Sequence, residues 1–428
     1  MVTQRENTRF LRRCFDVAQL ANSASTSPNP AVGAVIVAHE QRIIGEGFTQ
    51  PFGGHHGEVM AVKSVKTADR TLLPFSTMYV SLEPCFHFGK TPPCVNLVLD
   101  EKMLKVVIAH LDPNPLVLGK SMAKLRKNNV NVQILKALFN PNNKLIRQNA
   151  QNAPNTEGVS PSEQRLLENG KVATLMPFFI NMTKKRPFII LKWAESADGF
   201  IGKKSQTTLI SNAFSKRLVH KWRSEVDAIM VGTTTAALDN PELTNRLYYG
   251  KTPVRVVLDR HLSLSESLKI FDGSVKTLVF SELKIQNSKL NDKEIVDSSK
   301  NSEHTEGPVF FENGGVTQSH PVITPTITPL ENIEHHFIPF DDTLLDTLLE
   351  KLLSQKIGIL FVEGGEQLLS SFIKRGLWDE ARVFTAARTL GEGVAAPKLF
   401  NADLQQTVQI DDDTLRFYVQ AAKAAEPS

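Results

Sequence analysis

Hydrophobic and polar positions along the chain switch between two periods, and the order of those periods sets the expected architecture. Near residues 5–22, Phe10, Cys14, Val17 and Ala18 recur at helical spacing among charged neighbours. AVGAVIVA is an apolar run bounded by turn residues, which predicts a buried strand. Gly57 to Lys66 reads as a helix, TMYVSL as a strand, Pro92 to Glu101 as a helix and KVVIAH as a strand. SMAKLRKNN then reads as a helix leading into the strand VNVQIL. Such alternation predicts an α/β layer.

The pattern fails in NPNNKLIRQNAQNAPNTEGVSPSEQ, where Asn, Gln, Pro, Ser and Gly abound. This places a first domain at residues 1–145, a linker at 146–185 and a second domain at 186–428. The second α/β run opens with PFIILKWAESADGFI and continues through ISNAFSKRLVHKWRSE, DAIMVG, VRVVLD, KTLVF and GILFVEGG. The strand-like segments EARVFTAA and TLRFYVQA close it. Within this run, residues 283–329 are rich in Asn, Ser, Lys, Thr and Pro, the composition of a surface insertion. No segment repeats, so the halves are expected to do different work.

Length and composition agree with two ordinary globular domains. The chain has 428 residues, 41% apolar and 22% charged. Its net charge of +4 is small for the length, which argues against a nucleic-acid partner and leaves small phosphorylated substrates open. No window approaches about 18 uninterrupted apolar residues, so no membrane span is expected. The three cysteines, Cys14, Cys85 and Cys94, are too few for a disulfide framework and fit a reducing compartment, with a cytoplasmic location expected. Cys14 is expected to pack as a small apolar residue.

HHGEVMAV and EPCFHFGKTPPC carry the chemistry. Catalytic zinc takes three protein ligands and leaves the fourth position to water, and His56, Cys85 and Cys94 form a suitable soft set. The HxE spacing puts Glu58 in the first turn of a helix, within reach of that water without being a ligand. A structural zinc site is the competing reading, but it closes with four ligands and has no use for the carboxylate. Zinc deaminases of nucleic acids carry HxE with PCxxC, whereas eight residues separate the cysteines here.

SPNPAVG, HGEVMA, LEPCFHFGKTPPC and DPNPLVLGKS stand in the order of APNPxVG, HAEVxA, LEPCxHxGKTPPC and DPNPxVxGKG. The chain thereby resembles the RibD family of bifunctional riboflavin-biosynthesis proteins. The resemblance implies a cytidine-deaminase-like three-layer α/β domain that releases ammonia from a diaminopyrimidine carrying a ribosylamino phosphate, with zinc as cofactor and Glu58 as proton shuttle. By similarity, Asn29, His87, Lys90, Asp112 and Asn114 contact that substrate. For Asn29, Asp112 and Asn114, turn formation through side-chain to backbone bonds competes with ligand contact.

The likeness continues into a second domain similar to dihydrofolate reductase. KWAESADGFI matches KxAxSxDG, VGTTTAALDNPELTNR matches VGxxTxxxDxPxLTxR, and FVEGGEQLL completes the set. The resemblance implies reduction of the ribosyl group to ribityl with NADPH, and a homo-oligomer. Lys192, Thr207, Arg223, Leu243, Arg246 and Glu363 fall on its substrate positions; Ala194, Leu209, Thr235, Asp239, Gly364 and Gly365 fall on its cofactor positions. Arg223 and Arg246 are expected to clamp phosphate, since guanidinium forks pair phosphate oxygens. In FVEGG a strand ends on two glycines that let the backbone approach an anion at a helix start.

The chain departs from the family pattern at four places. Gly57 replaces Ala inside a helix, a change that helix propensity prices at about 0.5–1 kcal/mol. Ser121 replaces the second glycine of GKG and is expected to alter a phosphate-side loop. Ser211 keeps the hydroxyl of a common threonine, and Leu209 lacks the tryptophan that some members set against the cofactor. Two rival readings stay open at this point: a nucleic-acid or nucleoside deaminase with an accessory domain, and a non-catalytic zinc-stabilised paralogue.

Overall fold

A computed structural model describes residues 4–21, 23–89, 92–134, 174–204, 206–282 and 332–421. Helix α1 (Gln4–Ala18) turns Phe10, Leu11, Cys14 and Phe15 into the N-terminal core, so Cys14 packs as a small apolar group, as expected. A one-turn helix α2 (Ser23–Thr26) leads to β1 (Gly33–Val37), whose burial along its full length marks a strand covered on both faces. β2 (Ile43–Phe48) pairs antiparallel with it. Glu46 of β2 meets Arg13 of α1, while its neighbours Gly45 and Gly47 face Ala61 of α3 (Gly57–Ser64). Alternate residues of a strand point to opposite faces, so α1 and α3 cover opposite sides of the sheet.

β3 (Thr77–Val80), β4 (Lys105–Ile108) and β5 (Asn131–Ile134) complete a five-stranded sheet of order β2-β1-β3-β4-β5. The last three strands are parallel. Parallel neighbours need crossovers, which α4 (Cys94–Asp100) and α5 (Lys120–Lys127) supply. This is the expected cytidine-deaminase-like three-layer arrangement.

The second domain is built on a nine-stranded sheet of order β11-β10-β9-β8-β12-β6-β13-β16-β15. β6 (Phe188–Glu195), β8 (Ala228–Gly232), β9 (Val254–Leu258), β10 (Thr277–Glu282), β11 (Ile333–Ile338), β12 (Ile359–Val362) and β13 (Glu380–Thr385) run parallel. β15 (Ala402–Ile410) and β16 (Asp413–Gln420) add an antiparallel hairpin, and β7 (Phe200–Gly202) pairs with β14 (Val394–Ala395). Helices Leu344–Ser354 and Glu366–Arg375 bury Leu345, Leu348, Leu369 and Phe372 in one core. Helix Ala213–Ser224 buries Val219 and Trp222 in another.

The expected linker 146–185 is not loop throughout: its end forms the helix Met176–Lys184. Phe178 and Phe179 sit in the N-terminal core and Ile180 in the C-terminal one, while Asn181 donates to the Gly358 carbonyl. This apolar run ties the domains together, which is why it folds. The rest of the linker up to residue 173, and the proposed insertion 283–329, lie outside the described residues. Among the described residues no helix is long and apolar enough to cross a membrane.

Candidate active sites

His56 is the cap residue of α3, Cys85 follows the end of β3, and Cys94 opens α4. Their donor atoms all lie within 4.8 Å of one another. His56 Nδ1 is 3.5 Å from Cys85 Sγ and 3.4 Å from Cys94 Sγ, and the Cys94 amide donates to Cys85 Sγ at 3.1 Å. The Cys85 thiol is drawn down to about 4, first by the Cys94 hydrogen bond and then, against burial, by the His56 ring. The same contact and burial push Cys94 up, and the Cys85 contact raises His56 to about 9. Convergent imidazole and sulfur donors that hold protons among themselves in this way suit a soft divalent cation, which would take the place of those protons. His55 stands outside the group, with its Nε2 2.6 Å from Lys63 Nζ.

Glu58, two residues into α3, is 3% exposed and lies close enough to the two cysteine sulfurs for both to act on its carboxyl. Burial, with the Cys85 thiolate next, lifts its carboxyl to about 7, where it can both take and return a proton. Gly57 beside it corrects the propensity argument: a Cβ there would lie 2.7 Å from the Val32 carbonyl oxygen. In this chain α3 approaches the residues entering β1 so closely that a Cβ at position 57 would force one of them to shift.

Asp112 lies near this centre, since Glu83 and the Cys85 sulfur both help burial to raise its carboxyl to about 7. Asp112 Oδ1 accepts from the Asn114 amide at 2.8 Å, and Asn114 Oδ1 from the Leu116 amide at 3.0 Å, so both build the turn. His87 is exposed between the two cysteines, and Lys90 lies outside the described residues. Asn29 borders a small cleft between the domains, with Thr174, Asn181 and Ile359 opposite. Ser121 corrects another expectation: its buried hydroxyl turns inward and donates to the Pro84 carbonyl at 2.6 Å. Glu83 was not singled out from sequence. It is 3% exposed, accepts from the Gly119 amide at 3.0 Å and is pushed up to about 7 by burial. A carboxylate ending an apolar strand directly before Pro-Cys was the available signal.

In the second domain, parallel register brings distant residues together. Val362 of β12 registers with Leu191 of β6 and Met230 of β8, so the next residue, Glu363, emerges beside Lys192. Lys192 Nζ lies 3.7 Å from Glu363 Oε2, and Arg223 donates to both Glu363 oxygens at 2.9 and 3.0 Å. Burial alone would raise the Glu363 carboxyl; Arg223 and Lys192 hold it down at about 2. The Arg223 Nη1 donates to the Thr244 carbonyl at 2.9 Å. The fork assigned to phosphate from sequence is therefore closed on protein, and Arg223 organises Glu363 and the loop carrying Leu243. Leu243 is buried with a φ of 54°. Arg246 remains half exposed, 3.2 Å from Glu242.

Of the residues expected at the cofactor, Thr235 follows β8, and Gly364 and Gly365 follow β12. A Cβ on Gly365 would lie 3.2 Å from Thr235 Oγ1, so this glycine lines a close approach between two helix starts, while one on Gly364 would lie 2.7 Å from Leu368 Cδ2 of the helix that follows it. Parallel sheets bind ligands at such carboxyl ends. Thr207 donates to the Leu238 carbonyl at 3.0 Å and lowers Asp239 against the raising effect of burial, which prevails. Ala194 lies on β6 opposite Phe384, and Leu209 is 66% exposed.

Residues 4–110 match the cytidine and deoxycytidylate deaminase zinc-binding region, and residues 187–419 match the RibD C-terminal domain. The riboflavin biosynthesis protein RibD of Aquifex aeolicus is 31% identical over 390 residues, which cover 90% of this chain and 88% of that one. RibD of Actinobacillus pleuropneumoniae is 28% identical over 403 residues, covering 94% and 89%. The crystal structure of a diaminohydroxyphosphoribosylaminopyrimidine deaminase/5-amino-6-(5-phosphoribosylamino)uracil reductase from Thermotoga maritima superimposes with a TM-score of 0.72 at 27% identity, over 97% of this chain and 99% of that one. With a zinc-binding deaminase half and a reductase half in one chain, this protein belongs to the RibD family of bifunctional deaminase/reductases of riboflavin biosynthesis.

Proposed function

We propose that the N-terminal domain hydrolyses the ring amino group of a diaminopyrimidine bearing a ribosylamino phosphate, with zinc held by His56, Cys85 and Cys94, and that the second domain reduces the product's ribosyl group to ribityl with NADPH. The observation that carries the first half is the buried Glu58 carboxylate beside three converging soft donors. Zinc at these donors supplies the Lewis acidity that makes water a nucleophile at neutral pH. Glu58 accepts the proton as that water adds to the amino-bearing carbon, and donates it to the nitrogen that leaves as ammonia. The ring carbon is left as a carbonyl. Asp112 and Asn114 hold the loop that faces the substrate, the exposed His87 forms its outer rim, and Lys90 pairs with the substrate's phosphate.

In the second domain Lys192 and Glu363 face the ribose, with Arg223 fixing Glu363. Arg246, Thr207 and Leu243 complete the substrate side, and Arg246 meets the phosphate. NADPH supplies the hydride. The glycine pair at 364–365 beside Thr235 supports a pyrophosphate seat at the two helix starts, with Ala194, Leu209 and Asp239 around the rest of the cofactor. The protein works in the cytoplasm, as its sparse cysteines suggest, and as a homo-oligomer.

The test is to incubate the zinc-loaded protein with the diaminopyrimidine ribosyl phosphate and NADPH, following ammonia and nicotinamide absorbance together. Both signals are expected, in equal amounts. Ammonia without NADPH oxidation sinks the second half, and silence in both sinks the whole reading.

A further inference from the structure

The chain segment that presents Cys85 is fastened to the start of α5 by two hydrogen bonds. The Gly119 amide donates to Glu83 Oε2 at 3.0 Å, and the Ser121 hydroxyl donates to the Pro84 carbonyl at 2.6 Å. Both side chains are buried, Ser121 fully and Glu83 with 3% exposure. The Pro84 carbonyl belongs to the rigid peptide unit that ends at the Cys85 Cα. A donor fixed on that oxygen therefore sets the plane from which the Cys85 side chain departs. The same helix is also bonded to the helix that carries the other sulfur: Lys124 Nζ of α5 donates to Asn96 Oδ1 of α4 at 2.6 Å, two residues after Cys94. The motif shared with the family carries glycine at position 121, which has no hydroxyl to give. Ser121 therefore makes a hydrogen bond that the motif's glycine cannot make.

We propose that Ser121 is a positioning residue for the metal centre, orienting the Cys85 sulfur through the Pro84 carbonyl towards the point it shares with His56 and Cys94. The assignment rests on the reading of those three residues as zinc ligands. Groups that orient a metal ligand from behind typically change metal affinity about 10- to 100-fold when removed. Ser121 touches neither the ion nor the substrate, so its effect should appear in metal retention and in the ligand field as well as in turnover.

The experiment uses the full chain and its Ser121→Ala and Ser121→Gly variants, each checked for native circular dichroism and for reductase activity on deaminated substrate. Zinc-loaded samples are titrated with a chromogenic chelator. Cobalt-loaded samples are examined for the sulfur-to-cobalt charge-transfer band. We expect both variants to lose zinc at roughly 10-fold or more lower chelator concentration, with a weakened or shifted cobalt band and an unchanged reductase rate. Zinc affinity and cobalt spectra equal to the parent's overturn the proposal. If Ser121→Ala does not fold, Ser121→Gly decides alone, because glycine is the motif's own residue there. A parent chain that keeps no zinc overturns this inference together with the ligand assignment; a parent that keeps zinc no better than its variants overturns the inference alone.

Discussion

Replacing Glu363 by glutamine probes the charge cluster of the second domain. The side chains of Glu363, Arg223 and Lys192 are 12%, 12% and 14% exposed. The Glu363 carboxyl sits at about 2 against an ordinary 4.5, a difference that corresponds to about 3 kcal/mol of stability at neutral pH. Glutamine keeps the shape and one acceptor oxygen but leaves Arg223 and Lys192 without their carboxylate. Breaking a buried ion pair from one side costs about 3–5 kcal/mol, so two independent routes give the same magnitude. In a domain of this size each kcal/mol lowers Tm by roughly 2–4 °C, which predicts a fall of roughly 6–20 °C.

The assay is favoured by the distribution of tryptophan. Trp193, Trp222 and Trp378 are all the tryptophans of the chain and all lie in the second domain, so selectively excited tryptophan fluorescence follows that domain alone. The folded pKa is depressed, so the stabilisation is complete above the unfolded value and is lost as pH falls through the folded one. The gap between parent and Glu363→Gln should hold from neutral pH to about 5 and narrow between about 4.5 and 2. A variant as stable as the parent at neutral pH refutes the reasoning, as does a gap that is unchanged in acid.

Other substitutions test other parts. Glu58→Gln should lower ammonia release by about 10²- to 10⁴-fold while zinc content and reductase activity stay at parental levels; parental ammonia release removes Glu58 from the chemistry. Gly57→Ala should destabilise the first domain, because overpacking against the Val32 carbonyl, about 1–3 kcal/mol, exceeds the helical gain of about 0.5–1. Urea titration of zinc release measures it, and a higher midpoint contradicts the packing argument. Leu209→Trp offers an aromatic face at an exposed position and should tighten NADPH binding by about 2- to 10-fold, since aromatic contacts contribute about 0.5–1.5 kcal/mol. Nicotinamide fluorescence reads this, and unchanged affinity places Leu209 away from the cofactor.

The metal centre was legible because it is written in scarce residue types, two of three cysteines and an HxE, at short range and on predictable helix starts. Less local features were not. β2 went unread because Gly45 and Gly47 look like turn residues; they are there because a Cβ at either would meet the Ala61 backbone within 2.4 Å. β15 is a polar, largely exposed edge strand with no apolar alternation to betray it. The helix Met176–Lys184 was hidden at the end of a polar linker. The partner of Arg223 lies 140 residues away and is brought to it only by strand register, so a phosphate role was the natural inference from sequence. Ser121 looked like a loop change because its acceptor, Pro84, belongs to a different segment.

X-ray absorption at the zinc edge of the purified chain tests the central claim most directly. We predict two sulfur scatterers near about 2.3 Å and two lighter ones near about 2.0–2.1 Å, only one of them an imidazole. A second imidazole from His55, any shell closed by four protein donors, or a zinc without sulfur would contradict the account of His56, Cys85 and Cys94 as an open catalytic site.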